Sequence, residues 1–593
     1  MKKDRSTKSG KAFDLEIIKR MFSYTKPYRI KFWLAVIVTL CLSGLAISRP
    51  LLIQHTIDES ILSMDKENLF QSSILLVLIL ISEAFLQYFN IYTTGFIGQS
   101  IIRDLRKQVF THILQFKTKY FDNTPVGMLV TRSVSDIEAL ADVFSQGFVV
   151  ILGDIFTLIV FIVTMFLINW ELTLVVLSTV PLLIVATKFF KNGVKSSFTE
   201  VRNAVAALNS FVQEQIQGMK IVQVFNREEE EFKKFQNINE NHKTANIKSI
   251  WYYSIFFPIV EILSSVAIGL LIWYSGLRIG KMNISAGEIT FFIMLTNMLF
   301  RPIRMLADRL NTLQMGIVSG ERVFQLLDTT QRITNTGTIK KEKLAGKIEF
   351  ENVWFAYSEE NFVLRDISFS VNPGETIALV GATGAGKSSV INLLGRFYEI
   401  QKGKIKIDEI EIDNFDLLNL RNNIGIVMQD VFLFSDSIFN NISLKQDHIT
   451  LEQVIEASKA IGAHEFIMNL PDQYHFQVKE RGAMLSVGQR QLISFIRAYV
   501  FNPAILVLDE ATSSIDSESE RLVQQAIEKL TINRTCILIA HRLGTIKNAN
   551  RIIVLDKGEI IESGTLNELL QKKGHFKKLY DLQFKEASNF LSF

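Results

Sequence analysis

The sequence GATGAGKS at residues 381–388 decides the fold of the second half of this chain. It matches the phosphate-binding loop pattern GxxxxGK[ST]. The apolar run TIALV, residues 376–380, precedes it, and the apolar run VINLL, residues 390–394, follows it. Strand, glycine loop and helix in this order are the setting in which such a loop holds nucleotide phosphates. The pattern therefore predicts an α/β domain in which the loop glycines wrap phosphates, Lys387 neutralises their charge and Ser388 binds Mg²⁺.

Two later motifs point to the same chemistry. LSVGQ, residues 485–489, is typical of a glycine-containing turn that opens a helix and presents backbone N–H groups to a phosphate. ILVLDE, residues 505–510, is typical of a buried strand that ends in two carboxylates. Such a pair suits a metal ion and an attacking water molecule.

The order of these three motifs resembles the ATPase of an ATP-binding cassette (ABC) transporter, and the resemblance to the exporter-type (type IV) half-transporters runs from about residue 13 to residue 576. It implies a multidomain chain with an all-α six-helix transmembrane domain followed by an α/β P-loop ABC ATPase domain. It also implies a dimer that sandwiches ATP between the P-loop of one chain and the LSVGQ turn of the other. The cofactors would be ATP and Mg²⁺.

The same resemblance implies a set of site residues. The catalytic residues would be Glu510, which orients or deprotonates water, His541 at the γ-phosphate, and Gln429, which reaches Mg²⁺ and senses the membrane domain. Magnesium would be held by Ser388, Gln429 and Asp509. The nucleotide-binding residues would be Tyr357, Gly381, Ala382, Thr383, Gly384, Ala385, Gly386, Lys387, Ser388, Ser389, Ser486, Gly488, Gln489 and Asp516.

The first half of the chain is predicted to cross a membrane. Most of its apolar stretches approach the roughly 20 residues that a helix needs to span a bilayer. Buried helices of a large soluble protein would not repeat so many long runs with so few charges. The predicted spans are residues 32–54, 73–99, 147–168, 172–191, 254–277 and 287–310.

The distribution of lysine and arginine predicts the orientation. Residues 100–146 and 188–250 are rich in both, whereas 55–72 and 278–286 carry only Lys66, Arg278 and Lys281. The positive-inside rule then places both termini, the two long connections and the ATPase in the cytoplasm of a multi-pass protein of the cell (inner) membrane. Residues 120–127 and 217–228, at the midpoints of the long connections, resemble the coupling helices of ABC exporters, which dock on the ATPase.

These patterns give predicted domain boundaries. Residues 1–30 form a cytoplasmic tail and an interfacial elbow helix, with Leu15, Ile18, Met21 and Phe22 on one face. Residues 31–320 form the transmembrane domain with cytoplasmic helix extensions, 321–346 a linker and 347–593 the nucleotide-binding domain. Ionisable groups at membrane depth are costly, so Glu83, Asp154 and Glu261 are candidates to line a cavity, with interface positions or mutual pairing as the alternative.

One residue departs from the family pattern. Residue 487 is valine, where the family's usual LSGGQ motif has glycine. Glycine tolerates close approach and unusual φ/ψ, whereas valine is β-branched and stiff. Valine could simply be tolerated in a homodimer. Alternatively, Glu510 with Val487 fits the chain of a heterodimer that keeps the catalytic glutamate but has an altered signature. We expect the heterodimer slightly more than the homodimer.

The predicted function is ATP-hydrolysing export, or flipping, of a hydrophobic or amphipathic substrate such as a drug or lipid, by alternating access. The alternatives are export of a peptide or other small molecule, and an ATP-gated regulatory membrane protein. Importers usually keep these two parts on separate chains, and the predicted spans exclude a soluble ABC ATPase. A net charge of +4 gives no support for nucleic-acid binding, two cysteines make a disulfide framework implausible, and we expect no signal peptide.

Overall fold

The computed structural model describes residues 15–278, 284–358, 361–509, 517–540 and 546–581. The chain forms two compact units. The first contains residues 1–114 and 125–330, and the second contains residues 115–124 and 331–593. A short segment from within the predicted membrane half therefore belongs to the second unit.

The described part of residues 15–327 is almost wholly helical. Two wide π-helical turns, Thr56–Ile61 and Val143–Phe148, interrupt the α-helices. The helices in chain order are α1 (Leu15–Ser23), α2 (Arg29–His55), α3 (Lys66–Ile113), α4 (Thr118–Asn123), α5 (Val126–Ser133), α6 (Ser135–Asp142), α7 (Val149–Ile168), α8 (Trp170–Leu177), α9 (Val180–Gln217), α10 (Met219–Val224), α11 (Glu228–Arg278) and α12 (Ala286–Leu327).

Five helical segments are long and apolar enough to cross a membrane, and they contain the first five predicted spans. The sixth predicted span, residues 287–310, lies on α12, which is not among these five segments, so the count of six stays a prediction. The all-α character of this half is confirmed. The five segments are Lys26–Ile61, Lys66–Ile113, Val126–Ile168, Trp170–Gln217 and Glu228–Leu277.

Side-chain caps define where several of these helices begin. Asp65 accepts hydrogen bonds from the first-turn amides of α3, and Asn169 accepts bonds of 3.1 and 3.2 Å from the amides of Glu171 and Leu172 in α8. Ser285 caps α12 in the same way, through the amide of Glu288. The caps satisfy amides that have no partner within the helix. The Asn169 cap fixes the tight turn between α7 and α8.

The helices of the first unit pack through aromatic side chains and small residues. Phe190 of α9 stacks on Phe256 of α11 with ring centroids 4.0 Å apart. At Gly153 of α7, a Cβ atom would lie 2.3 Å from Cγ2 of Thr39 in α2. Close backbone approach through small residues is a common way for membrane helices to associate.

The apolar face of the elbow helix α1 packs on protein. Met21 is fully buried, and the ring of Phe22 contacts those of Phe144 and Phe148. Arg20 forms a two-bond ion pair with Asp328, at 2.7 and 2.8 Å. Part of the face that was predicted to be interfacial therefore holds α1 against other residues of the first unit. The position of α1 along the membrane interface stays a prediction.

The three candidate cavity carboxylates have different surroundings. Asp154 of α7 forms an ion pair with Arg309 of α12, a partner that the sequence reasoning missed. Glu83 of α3 is half-buried, and its Oε2 atom is enclosed without a hydrogen-bond partner among the described residues. Glu261 is exposed on α11. Their lining of a common cavity stays a prediction.

The second unit is α/β, as predicted. A four-stranded antiparallel sheet has the order β2-β1-β4-β5, and a six-stranded sheet has the order β10-β9-β3-β8-β7-β6. The strands are β1 (Ile348–Phe355), β2 (Leu364–Val371), β3 (Thr376–Val380), β4 (Lys402–Ile407), β5 (Ile410–Glu411), β6 (Ile424–Val427), β7 (Ile505–Asp509), β8 (Thr535–Ile539), β9 (Arg551–Asp556) and β10 (Glu559–Gly564).

Strand β3 is buried along its whole length. Ile377 and Leu379 pack into the core that also contains Phe350, while Ala378 and Val380 pack into the core on the opposite face. Burial on both faces is typical of strands in parallel sheets. The remaining described helices of this unit are α13 (Lys387–Leu394), α14 (Leu417–Asn422), α15 (Ile438–Ser443), α16 (Leu451–Ile461), α17 (His464–Met468), α18 (Val487–Phe501), α19 (Ser517–Thr531) and α20 (Leu566–Lys572).

Candidate nucleotide-binding site

Four parallel strands bring the predicted site to one edge of the six-stranded sheet. β3 pairs with β8, β8 with β7 and β7 with β6, all in parallel register. β3 ends at Val380, directly before the P-loop, and β7 ends at Asp509. Gln429 lies just beyond the end of β6. Because the carboxyl ends of parallel strands share an edge, and ligands bind there in open α/β sheets, motifs far apart in sequence meet at this edge.

The P-loop backbone has the form that phosphate binding requires. Gly386, directly before α13, has φ 103°, and a Cβ atom there would lie 2.6 Å from Leu364 Cδ2. At Gly381 a Cβ atom would lie 2.2 Å from the carbonyl oxygen of Leu555. Among the described residues, no side chain caps the first turn of α13, and the amides of Ser389 and Val390 donate to the carbonyl oxygen of Gly386. The N-terminus of a helix favours an anion, so this uncapped turn suits a phosphate.

Lys387 is the cation of this loop. It is 7% exposed, and its Nζ donates hydrogen bonds of 2.7 and 3.0 Å to the carbonyl oxygens of Gly381 and Ala382. Burial lowers the pKa of the Lys387 ammonium, and the nearby charge of Asp509 partly opposes that shift. The loop thus holds its lysine folded over its own backbone, next to the end of β7.

Tyr357 and Ser389 lie together beside the first turn of α13. The two hydroxyl oxygens are 3.1 Å apart, and Asn392 donates a 3.2 Å hydrogen bond to the tyrosine oxygen. The tyrosine ring packs edge-on against Phe355 and Tyr398, with centroids 4.7 and 4.9 Å apart. The structure therefore places Tyr357 next to the P-loop helix, with its hydroxyl already used within the protein.

The magnesium candidates fit a site that needs the nucleotide. Asp509 ends β7, Ser388 lies in the first turn of α13, and Gln429 is exposed in the loop after β6. In the described part of the chain, no group of three His, Cys, Asp or Glu side chains could hold a metal ion alone. Mg²⁺ is usually held by one or two protein oxygens that phosphates and water complete, and its binding here stays a prediction.

Three predicted residues lie outside the described residues, namely Glu510, Asp516 and His541. The described strands β7 and β8 end one residue before Glu510 and two residues before His541. Both strands end at the edge that carries the P-loop.

The LSVGQ motif, residues 485–489, is the signature turn, and it forms a capping box at the start of α18. Ser486 Oγ accepts a 3.2 Å hydrogen bond from the amide of Gln489, and Gln489 Oε1 accepts a 3.0 Å bond from the amide of Ser486. Arg490 donates to the carbonyl oxygens of Gly482 and Leu485, at 3.3 and 2.9 Å. Sequence reasoning missed this role of Arg490. The only signal for it in the sequence is the position of an arginine directly after the LSVGQ motif.

Val487 fits this turn without backbone strain. It is the first residue of α18 and is absent from the residues with positive φ. Its side chain is 38% exposed. The structure therefore removes one of the two reasons for expecting glycine at this position, unusual φ/ψ. The other reason, close approach of a partner molecule, remains.

Residues around the first predicted coupling helix belong to the second unit. α4 lies within residues 115–124 of the second unit. In the same segment, Lys117 forms a 2.9 Å ion pair with Glu399. The hydroxyl of Tyr398 donates a hydrogen bond to Asp122. The backbone of residues 115–117 pairs with that of 331–333, and Phe116 is 3% exposed. Residues 115–124 are thus held by several contacts within the second unit.

The second predicted coupling segment contains α10, in the first unit. Ile221, Val224 and Phe225 there are 65, 66 and 69% exposed. On the second unit, Phe432 and Phe434 are also exposed, 54 and 57%. Sequence reasoning missed these two aromatic residues, which follow Gln429 by only a few positions. Exposed apolar clusters of this kind mark interaction surfaces.

Comparison with known proteins agrees with both halves. A family model described as ABC transporter transmembrane region matches residues 32–303. A second family model, described as ABC transporter, matches residues 364–513.

Relatives match nearly the whole chain. An uncharacterised ABC transporter ATP-binding protein of Bacillus subtilis, YknV, is 37% identical over 97% of this chain and 96% of its own length. An ATP-dependent lipid A-core flippase of Syntrophus aciditrophicus is 35% identical over 96% of this chain and 95% of its own. A probable multidrug resistance ABC transporter ATP-binding/permease protein of Bacillus subtilis, YheH, is 38% identical over 85% and 75%. The parallel-sheet edge with its P-loop, the apolar helices before it and these matches show that the chain belongs to the ABC transporters, as an exporter-type half-transporter and multi-pass membrane protein whose ATPase drives transport.

Proposed function

We propose that this protein exports, or flips between leaflets, a hydrophobic or amphipathic molecule such as a lipid or a drug. The observation that carries this proposal is the fusion of apolar membrane helices and a P-loop sheet edge in one chain. The names of the relatives, a lipid A-core flippase and a multidrug resistance transporter, support the two substrate classes.

The proposed hydrolytic site combines the residues at the sheet edge. Lys387 and the first-turn amides of α13 would hold the phosphates, while Ser388, Gln429 and Asp509 would hold Mg²⁺. Glu510 would orient or deprotonate water, and His541 would contact the γ-phosphate. Positioning and charge stabilisation supply most of the rate in phosphoryl transfer to water. The metal, when bound, would neutralise charge that develops on the phosphates.

The proposed working form is a dimer. The signature turn of one chain would then close over the P-loop of the other, with Val487 at the point of approach. The exposed apolar residues at the end of α10 and directly after it support this, because Val224 and Phe225 would otherwise face water. We favour a heterodimer slightly, since the extra bulk of Val487 would impair the site that this chain caps while its own P-loop site stays intact.

We further propose that the protein lies in the cell (inner) membrane with both termini and the ATPase in the cytoplasm. Lysine and arginine are concentrated in residues 100–146 and 188–250 and are sparse in the alternate connections. Short connections poor in positive charge are typically external. The α7–α8 turn at Asn169 would then lie at the outer surface.

The test uses the purified chain in lipid nanodiscs, together with its partner half-transporter if the two form a heterodimer. Lys387→Ala and Glu510→Gln should each abolish ATPase activity, because they remove the phosphate cation and the proposed base. Glu559→Gln, the same chemical change on the exposed strand β10, serves as the control and should leave activity unchanged. Stimulation of the ATPase by a candidate lipid or drug, with its ATP-dependent movement in proteoliposomes, would support export.

Two outcomes would change the proposal. Hydrolysis that opens an ion-permeable pathway without substrate movement would favour the ATP-gated alternative. Robust ATPase activity from this chain alone, as a homodimer, would defeat the heterodimer.

A further inference from the structure

An open cleft lies between α8 and α11, near one end of the membrane helices. Its volume is about 500 Å³, within the range of pockets that bind small organic ligands. Its walls are formed chiefly by Trp170, Glu171, Leu174, Leu270, Trp273 and Tyr274.

The cleft combines aromatic faces with one negative charge. Trp170 and Trp273 are 59 and 64% exposed, so their rings are accessible from the cleft. The hydroxyl of Tyr274 donates a 2.5 Å hydrogen bond to Glu171 Oε2, which fixes the carboxylate at the wall. Among the residues that the structure describes, those that line the cleft include no lysine or arginine. Aromatic faces beside a carboxylate attract an organic ammonium ion.

The position of the cleft favours a lipid as the source of that ammonium. α8 begins directly after the Asn169 turn, and the cleft extends from this turn to Leu174 and Leu270, which lie farther along the two apolar segments. Tryptophan and tyrosine are enriched where membrane helices reach the headgroup layer. A headgroup at this depth would meet Trp170, Glu171 and Trp273, while its acyl chains would follow the leucines.

We propose that the α8–α11 cleft binds the ammonium headgroup of a membrane lipid. The ammonium lies between the two indole rings and the Glu171 carboxylate, and the acyl chains lie along Leu174 and Leu270. This site is separate from the ATPase edge and does not depend on which substrate the protein transports. It gives the chain a preference for lipids with an ammonium headgroup over lipids that carry only negative charge.

The test measures binding of short-chain lipids to the detergent-purified full chain by native mass spectrometry. Dihexanoyl phosphatidylcholine, which carries an ammonium group, should bind more tightly than dihexanoyl phosphatidylglycerol, which does not. Glu171→Gln and Trp273→Leu should each weaken phosphatidylcholine binding about tenfold, the effect of removing a charge or a cation–π face.

Two control variants make the same changes elsewhere in the first unit. Glu67→Gln alters another glutamate in the first turn of a capped membrane helix, and Trp33→Leu removes a tryptophan that is 62% exposed on α2. Both should leave lipid binding unchanged. ATPase activity of each variant, measured in parallel, shows that folding is intact and separates this site from the proposed transport function.

Four results would overturn the proposal. Equal affinity for the two lipids would show that the cleft does not select an ammonium group. Binding that is the same in Glu171→Gln and wild type would remove the carboxylate from the site. Tight binding of dodecyltrimethylammonium without phosphatidylcholine binding would identify a free cation as the ligand. Absence of all lipid binding to the dimer would show that the second chain covers the cleft.

Discussion

Removing either charge of the Asp154–Arg309 ion pair should destabilise the protein more than removing both. The two side chains are only 19 and 27% exposed. A charge left alone in a fully buried site costs about 3–5 kcal/mol, whereas a well-packed neutral pair costs little. Both side chains are partly exposed, so the cost of an unpaired charge should be smaller here than in a fully buried site. We therefore expect a coupling energy of about 2 kcal/mol between Asp154→Asn and Arg309→Met.

The measurement is thermal unfolding of the full chain in nanodiscs for wild type, both single variants and the double variant. In domains of roughly 150–250 residues, 1 kcal/mol corresponds to about 2–4 °C in Tm. Each single variant should therefore lower Tm by about 4–8 °C at most, and the double variant by less than either. An exposed pair, Arg106 with Glu138 at 2.6 Å, provides the control cycle. Its coupling should be about 0–1 kcal/mol.

Additive losses of Tm in the Asp154–Arg309 cycle would refute this reasoning, since they would mean that neither charge depends on the other. The same variants test the role expected from the sequence. If Asp154→Asn leaves transport and substrate-stimulated ATPase activity unchanged, then Asp154 serves structure and does not line the substrate path.

Three further predictions concern the ATPase unit. Gly386→Ala, at φ 103°, should abolish binding of a fluorescent ATP analogue, whereas Gly462→Ala, at φ 83° in the cap of α16, should keep it at a cost of about 1–2 kcal/mol in stability. Tyr398→Phe, which loses its hydrogen bond to Asp122, should reduce substrate stimulation of the ATPase while basal activity stays near wild type. Burial raises the pKa of Cys536 from 9.0 to about 12. The neutral thiol therefore stabilises the folded state below pH 9, and this contribution is lost as the pH rises toward 12. Over that range, the unfolding midpoint of wild type should fall more steeply with pH than that of Cys536→Ala.

The chemistry of the sheet edge could be predicted because its motifs are local. A P-loop needs a strand, glycines and a lysine at fixed spacing, and residues 376–394 contain all of these in one run. The length of apolar runs likewise predicted the membrane helices. Both signals depend on neighbours in sequence, so a single chain is enough to read them.

Contacts between distant residues could not be predicted in this way. Arg309 pairs with Asp154 across more than a hundred residues, and nothing in the local pattern of α12 marks it as that partner. The apolar face of α1 shows the same limit. Its spacing fits a membrane surface or a protein surface equally well, and the spacing alone could not show that Met21 packs against neighbouring helices.

The pairing of residues 115–117 with 331–333 has a consequence for how this chain could be divided. A fragment that begins after residue 330 would contain every strand of both sheets yet lack the segment that carries the buried Phe116. Such a fragment would expose the surface that Phe116 covers and the backbone groups of 331–333. The second unit of this structure is therefore discontinuous in sequence, and it includes a segment, residues 115–124, that is translated long before the P-loop.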